Sequence, residues 1–219
     1  MGPYSHFVLA TRIKTLVKPE NEGEYYWGSI IPDIRYLAQM RRAQTHLDEQ
    51  RIRELIDRYP QLTSFLQGYR VHCLLDEIDL QEIVGKVFPL NILKSIFQKE
   101  LSQQQITVLV ELYFIQTVHT PQSIAGDHNE ILAELGIKST HTEKFSSAMQ
   151  SYFDSPCFET ALTTFRRLGM VDNSRIEKYI SAASKLEKNA LLRYLLLLGV
   201  KNADLDHLAV SYVSSSLSQ

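Results

Sequence analysis

The chain has only two cysteines in 219 residues, Cys73 and Cys157, which is too few and too widely spaced for a disulfide framework or a thiolate zinc cluster. Long apolar runs are missing as well. The most hydrophobic stretch, "NALLRYLLLLGV" at 189–200, is interrupted by Arg193 and falls short of the ~18 apolar residues that a membrane span requires. Neither sign of charge is in excess: 23 Lys and Arg against 25 Asp and Glu leave a formal net charge of −2. That balance carries no strong nucleic-acid or membrane signal. The opening Met1-Gly2-Pro3-Tyr4 lacks the basic stretch, apolar run and small-residue cleavage site of a secretory leader, so the expected location is cytoplasmic.

What the sequence does have is helical periodicity nearly throughout. "SHFVLATRIKTLV" predicts a first helix over about 5–17 with Ser5 as its N-cap, ended by Lys18-Pro19 and the polar "ENEGE". "YYWGSIIPDIRYL" contains Gly28 and Pro32 and reads as a shaped turn feeding a short helix, because Pro32 disfavours the helical state at Ile31. "LDEQRIRELIDRYP" is an amphipathic segment that ends at Pro60, and a long helix is expected from about Thr63 to Val87. Seven further helical patterns follow Pro89. The expectation is an all-α protein of about nine or ten helices in a single compact domain. Within 1–219, residues 1–90 carry the site helices, 91–213 support them, and 214–219 form a frayed tail.

The first 80 residues hold an unusual set of titratable groups. His72 and Asp76 stand four positions apart, so on an α-helix they share a face. His6 opens the first helix, Asp33 follows Pro32, and His46 sits in "RAQTHLD". Three imidazoles and two carboxylates form a nitrogen and oxygen donor set suited to Zn²⁺, with Mn²⁺ or Fe²⁺ as alternatives. Taken singly, each has an ordinary explanation as a cap, a turn residue or a solvated side chain. Asp79 returns to the face of His72 as an extra ligand or an acceptor that orients an imidazole, although a solvated carboxylate is the simpler explanation. Gly68, one turn before His72, leaves room for a second helix or a substrate. Arg35, Tyr36 and Arg42 lie between or beside the candidate ligands and suit a phosphate group. Tyr25, Tyr26 and Trp27 fit either a substrate platform or the core. His119, His128, His141 and His207 fall in helix breaks or near the C-terminus, and "HTPQSIAGDHNEI" reads as a polar loop.

The ordered succession "YSHFVLA", "GSIIPDIRYL", "RAQTHLD" and "GYRVHCLLDEI" resembles the zinc-dependent phospholipase C family, whose helical fold is shared with fungal single-strand-specific nucleases. The resemblance covers about residues 1–90. It implies one metal site formed by Asp33, His46, His72 and Asp76, with His6 approaching a neighbouring ion that shares Asp76. The chain departs from the pattern in two respects: it begins Met-Gly-Pro where secreted members present an N-terminal Trp, and it has no His between His72 and His119. One or two ions are therefore expected instead of three. The implied function is metal-dependent hydrolysis of a phosphoester by activated water, with Asp33 as general base. The alternative is a non-catalytic helical protein that binds a metal, or a protein partner through its C-terminal helices. The adjacent His-Asp dyad of another phosphohydrolase class is absent, because Leu47 separates His46 from Asp48.

Overall fold

The computed structural model describes residues 1–80, 107, 110–115, 128–170 and 204–217. The protein is all-α, and no strand occurs among the described residues. Helix α1 (Pro3–Val17) starts with Pro at its first position, where a missing N–H costs nothing, and ends on Lys18 in the left-handed conformation. Its N-cap is Gly2, so Ser5 lies inside the first turn. The Ser5 hydroxyl has a distant partner and does not cap its own helix. Helix α2 (Glu22–Ile30) is capped by Asn21, whose side chain accepts from the Glu24 N–H. The segment 25–30, expected as a turn, is therefore helical. Pro32 falls in the 3₁₀ turn Ile31–Ile34 that follows, where its ring is tolerated.

Short helices α3 (Arg35–Ala38) and α4 (Arg42–Thr45) lead to α5 (Glu49–Arg58), and a 3₁₀ turn (Pro60–Leu62) leads to α6 (Thr63–Leu75). Helix α6 stops at Leu75, well before the expected Val87. Asp76 keeps its N–H bond to the His72 carbonyl, but the next bonds tighten to Leu74 and Leu75 as the helix unwinds. Residues 110–115 are helical, followed by α7 (Asn129–Glu134), α8 (Ser139–Asp154), α9 (Phe158–Arg167) and α10 (Leu205–Leu217). Helix α10 takes in residues 214–217, which were expected to fray. The helices expected in 91–106, 116–127 and 171–203, with His119, Asp127 and the 189–200 stretch, lie outside the described residues. Among the described residues no helix is long and apolar enough to cross a membrane.

Helices α2 and α6 form the closest pair, and two glycines allow it. A Cβ on Gly28 would sit 2.0 Å from the Phe65 carbonyl oxygen, and one on Gly68 would sit 1.9 Å from that of Tyr25. Neither position can hold a side chain without separating the backbones. This crossing is the helix-packing role of Gly68, and it brings the Ser29 carbonyl onto α6. Around it, Tyr4, Phe7, Tyr25, Tyr26, Phe65, Tyr69, Phe145 and Tyr152 are almost wholly buried in one apolar cluster. Each such side chain contributes roughly 2–3 kcal/mol, which offsets the cost of burying charged groups beside them. Tyr25, Tyr26 and Trp27 belong to this core and form no exposed platform.

Candidate metal centre

Four separate elements deliver the predicted ligands to one place. Helix α1 supplies His6, the 3₁₀ turn after α2 supplies Asp33, the C-cap of α4 is His46, and α6 supplies His72 with Asp76 at its C-cap. Two overlapping groups result, His6–Asp33–His72 and His46–His72–Asp76, each with donor atoms within 4.8 Å of one another. The His6 and His72 rings stack at 3.9 Å between centroids.

Each ring is held from behind. His72 Nδ1 lies 2.8 Å from the Ser29 carbonyl oxygen, a contact made possible by the glycine crossing. A carbonyl only accepts, so Nδ1 carries the proton and the Nε2 lone pair faces the centre. His6 Nδ1 likewise donates to the Gly2 carbonyl at 3.1 Å. His46 is placed by Tyr69, whose hydroxyl donates to the Thr45 carbonyl and ties the end of α4 to α6. Its Nε2 donates to Asp76 Oδ2 at 2.9 Å, and its Nδ1 accepts from the Thr45 hydroxyl at 3.2 Å.

Asp76 is the hub. Its Oδ1 accepts from the Met1 amine at 2.9 Å, and its Oδ2 accepts from Arg42 Nη1 at the same distance as from His46. Burial opposes its ionisation, but the Met1 amine and the His46 hydrogen bond outweigh that and hold the carboxyl well below the usual carboxylate range. Asp33 is the opposite case: burial, then the Asp76 charge, raises it from 3.8 to about 8. Burial also lowers all three imidazoles, His6 to about 4 with help from the amine charge. At neutral pH the three rings are uncharged, the form in which they ligate metals.

Three buried polar atoms here have no hydrogen-bond partner: His6 Nε2, His72 Nε2 and Asp33 Oδ2. His6 Nε2 lies 3.1 Å from Asp76 Oδ1 without the alignment of a hydrogen bond. Because Nδ1 donates to Gly2, an imidazole lone pair there faces a carboxylate oxygen. Asp33 Oδ2 stands 3.8 Å from His6 Nδ1, too far for a hydrogen bond. Leaving a buried polar atom unsatisfied costs about 1–3 kcal/mol, so three together form a substantial local penalty. A divalent cation resolves it, because it accepts electron pairs from nitrogen and oxygen alike. The donor set therefore fits the metal that the sequence resemblance implies.

The remaining predicted residues divide. Arg42 reaches Asp76 at the edge of the centre with 48% of its side chain exposed. Arg35 stacks on the Tyr36 ring at 3.9 Å, its Nε is buried without a partner, and its Nη2 donates to the Tyr36 hydroxyl. Asp79 lies exposed beyond the end of α6 and outside both donor groups, because the helix that was to carry it back to the face of His72 stops at Leu75. His128 stacks on Phe65, two turns of α6 before His72, and belongs to neither donor group. Sequence reasoning missed two participants, the Met1 amine and Glu111. The signal for Glu111 was a single carboxylate in the apolar run "ITVLVELYFIQTV". Comparison of the chain with protein-family models, curated proteins and solved structures found no significant match.

Proposed function

We propose that the protein is a metal-dependent hydrolase acting on a phosphoester, with His6, Asp33, His46, His72 and Asp76 holding one or two ions of Zn²⁺, Mn²⁺ or Fe²⁺. The observation that carries this reading is the set of unpartnered, buried donor atoms on His6, His72 and Asp33 converging beside Asp76. The ordered motifs shared with the zinc-dependent phospholipase C family support it and point to the reaction class. When bound, such an ion supplies a Lewis acid for the phosphoryl oxygen and for water.

The protein's own residues have separate tasks in this reading. Ser29 and Gly2 carbonyls fix two imidazoles so that Nε2 faces inward. Asp33, freed of its own proton when an ion binds, is the carboxylate assigned to take up the proton of the attacking water. Arg42 stands at the exposed edge, where a guanidinium can pair with phosphate oxygens in a two-point contact, and Arg35 and Tyr36, stacked on each other just after Asp33 in sequence, are the further groups assigned to the phosphate. One observation favours a structural metal instead: the side chains of His6, His72 and Asp33 are at most 2% exposed, as in a closed site.

A panel of lipid, nucleotide and aryl phosphoesters, assayed with Zn²⁺ or Mn²⁺, separates the two. The hydrolase reading expects turnover by the wild type and none by His72→Ala at matched concentration. Stoichiometric metal without turnover above the variant on every substrate favours the structural reading.

A further inference from the structure

Glu111 is 1% exposed and far from the centre in sequence, and its hydrogen bonds go to Tyr4, Ser5 and Tyr152 instead of to a candidate ligand. Its carboxylate nevertheless closes on the first turn of α1. Oε1 accepts from the Tyr4 N–H at 2.8 Å, and Oε2 accepts from the Ser5 N–H at 2.8 Å and from the Ser5 hydroxyl at 2.5 Å. Tyr152 donates its hydroxyl to Oε1 at 2.8 Å from the opposite side. The carboxylate also lies so close to Gly2 that a Cβ there would meet it at 2.5 Å.

These contacts account for every N–H of the first turn. The α1 N-cap makes no side-chain bond of its own, Pro3 has no N–H, and Tyr4 and Ser5 donate to Glu111. The His6 N–H donates to the Gly2 carbonyl. That same carbonyl accepts from His6 Nδ1, so the position of Gly2 sets the rotation of the His6 ring. Glu111 is thus connected to His6 through two contiguous contacts, the backbone of residues 2–5 and the Gly2 oxygen.

We propose that Glu111 is a positioning residue for the metal centre: by clamping Tyr4 and Ser5 it fixes the Gly2 carbonyl, and through it directs His6 Nε2 toward Asp76. This rests on the reading of the five residues as a metal centre. Loss of a buried carboxylate that served α1 stability alone would lower melting temperature without altering the ring of His6 or the coordination of an ion.

The test uses Glu111→Gln, Ser5→Ala and Tyr152→Phe. The first puts an amide N–H₂ against the α1 donors, the second removes one bond between α1 and the carboxylate, and the third removes a buried bond to Glu111 that does not involve α1. In metal-free protein, imidazole ¹⁵N spectra report the His6 tautomer, with the His6 signals assigned by their loss in His6→Gln. The wild type and Tyr152→Phe are expected to show protonated Nδ1 and free Nε2. In Ser5→Ala and Glu111→Gln that signature shifts or averages. With Co²⁺ the same two variants alter the visible ligand-field bands, and their Zn²⁺ affinity falls about tenfold or more, while Tyr152→Phe follows the wild type. Unchanged His6 shifts in Ser5→Ala and Glu111→Gln overturn the proposal, as does an equal loss in Tyr152→Phe. If Glu111→Gln does not fold, Ser5→Ala decides. A wild type that takes up neither Co²⁺ nor Zn²⁺ removes the metal reading, and the His6 shifts still decide whether Glu111 positions that ring.

Discussion

Two carboxylates each gather several partners, and they differ in what surrounds them. Glu134 on α7 accepts from Arg51 at 2.6 Å, Arg58 at 2.6 Å and Tyr59 at 2.7 Å. All three are donors, the cluster lies near solvent, and the contacts tie α5 to α7. Asp76 gathers the Met1 amine, Arg42 and His46, but beside them stand His6 Nε2, His72 Nε2 and Asp33 Oδ2, which offer only lone pairs at neutral pH or lack a partner. Donors around an acceptor form a self-sufficient network, worth little when exposed to water and salt. Acceptors facing acceptors in a buried place are satisfied by a cation. Density of charge therefore does not distinguish a site from a surface cluster, whereas the pattern of satisfaction does.

The largest effect expected from this contrast is at His72. Replacing it by Ala takes metal retention from stoichiometric to none, and removes about 4 kcal/mol of ligand stabilisation when free metal is a thousandfold above Kd. Glu134→Gln, by contrast, leaves metal content unchanged. Metal analysis and thermal melts with and without added Zn²⁺ check both, and equal losses in the two variants break the comparison.

Next comes the glycine crossing that aims His72. Gly68→Ala forces a methyl carbon against the Tyr25 backbone oxygen, which cannot rotate away. We expect a loss of about 3 kcal/mol or more in denaturant unfolding, at the upper end of overpacking effects. Released metal should accompany it, because the Ser29 carbonyl moves with α2. A substitution tolerated within experimental error contradicts the packing account.

A smaller effect is the pH dependence. In the metal-free protein Asp33 holds a proton up to about pH 8, while His6, lowered to about 4, is a neutral imidazole near neutrality. A metal must displace the Asp33 proton, so affinity rises with pH by up to about tenfold per unit and levels off above about 8. The fold without metal behaves in the opposite sense. A carboxyl raised from 3.8 in the unfolded chain to about 8 contributes stability at low pH that is lost as pH rises through the folded value. Titration calorimetry in buffers of different ionisation enthalpy measures the released proton, and Asp33→Asn flattens the profile. The smallest expected effect is at Asp79, exposed beyond α6, where Ala spares metal binding. A loss comparable to His72→Ala would assign Asp79 a role its position does not support.

Periodicity made much of the helical framework legible. Helices α5, α8 and α9 fall where their amphipathic patterns place them, because one face of each packs on the core while the other meets water. The juxtaposition of His72 and Asp76 was also legible from spacing, and it survives the early end of α6 because the Asp76 N–H keeps its bond to the His72 carbonyl. The helix at 25–30 was not. Gly28 lowers helix propensity locally, yet it occurs there because Phe65 leaves no room for a side chain, and that is a tertiary cause. Nor was Glu111, whose partners Tyr4 and Ser5 lie more than a hundred positions away. Local patterns carry no information about which distant helix end a lone buried carboxylate will meet.

The central claim is that the buried lone pairs around Asp76 are the ligands of a resident cation. Elemental analysis of the wild-type protein, purified without added metal and without a metal-affinity step, tests it most directly. The account predicts one or two equivalents of zinc, manganese or iron per chain, absent from His72→Ala prepared in parallel. A wild type that carries no transition metal, and takes up none on dialysis against Zn²⁺ or Mn²⁺, contradicts it.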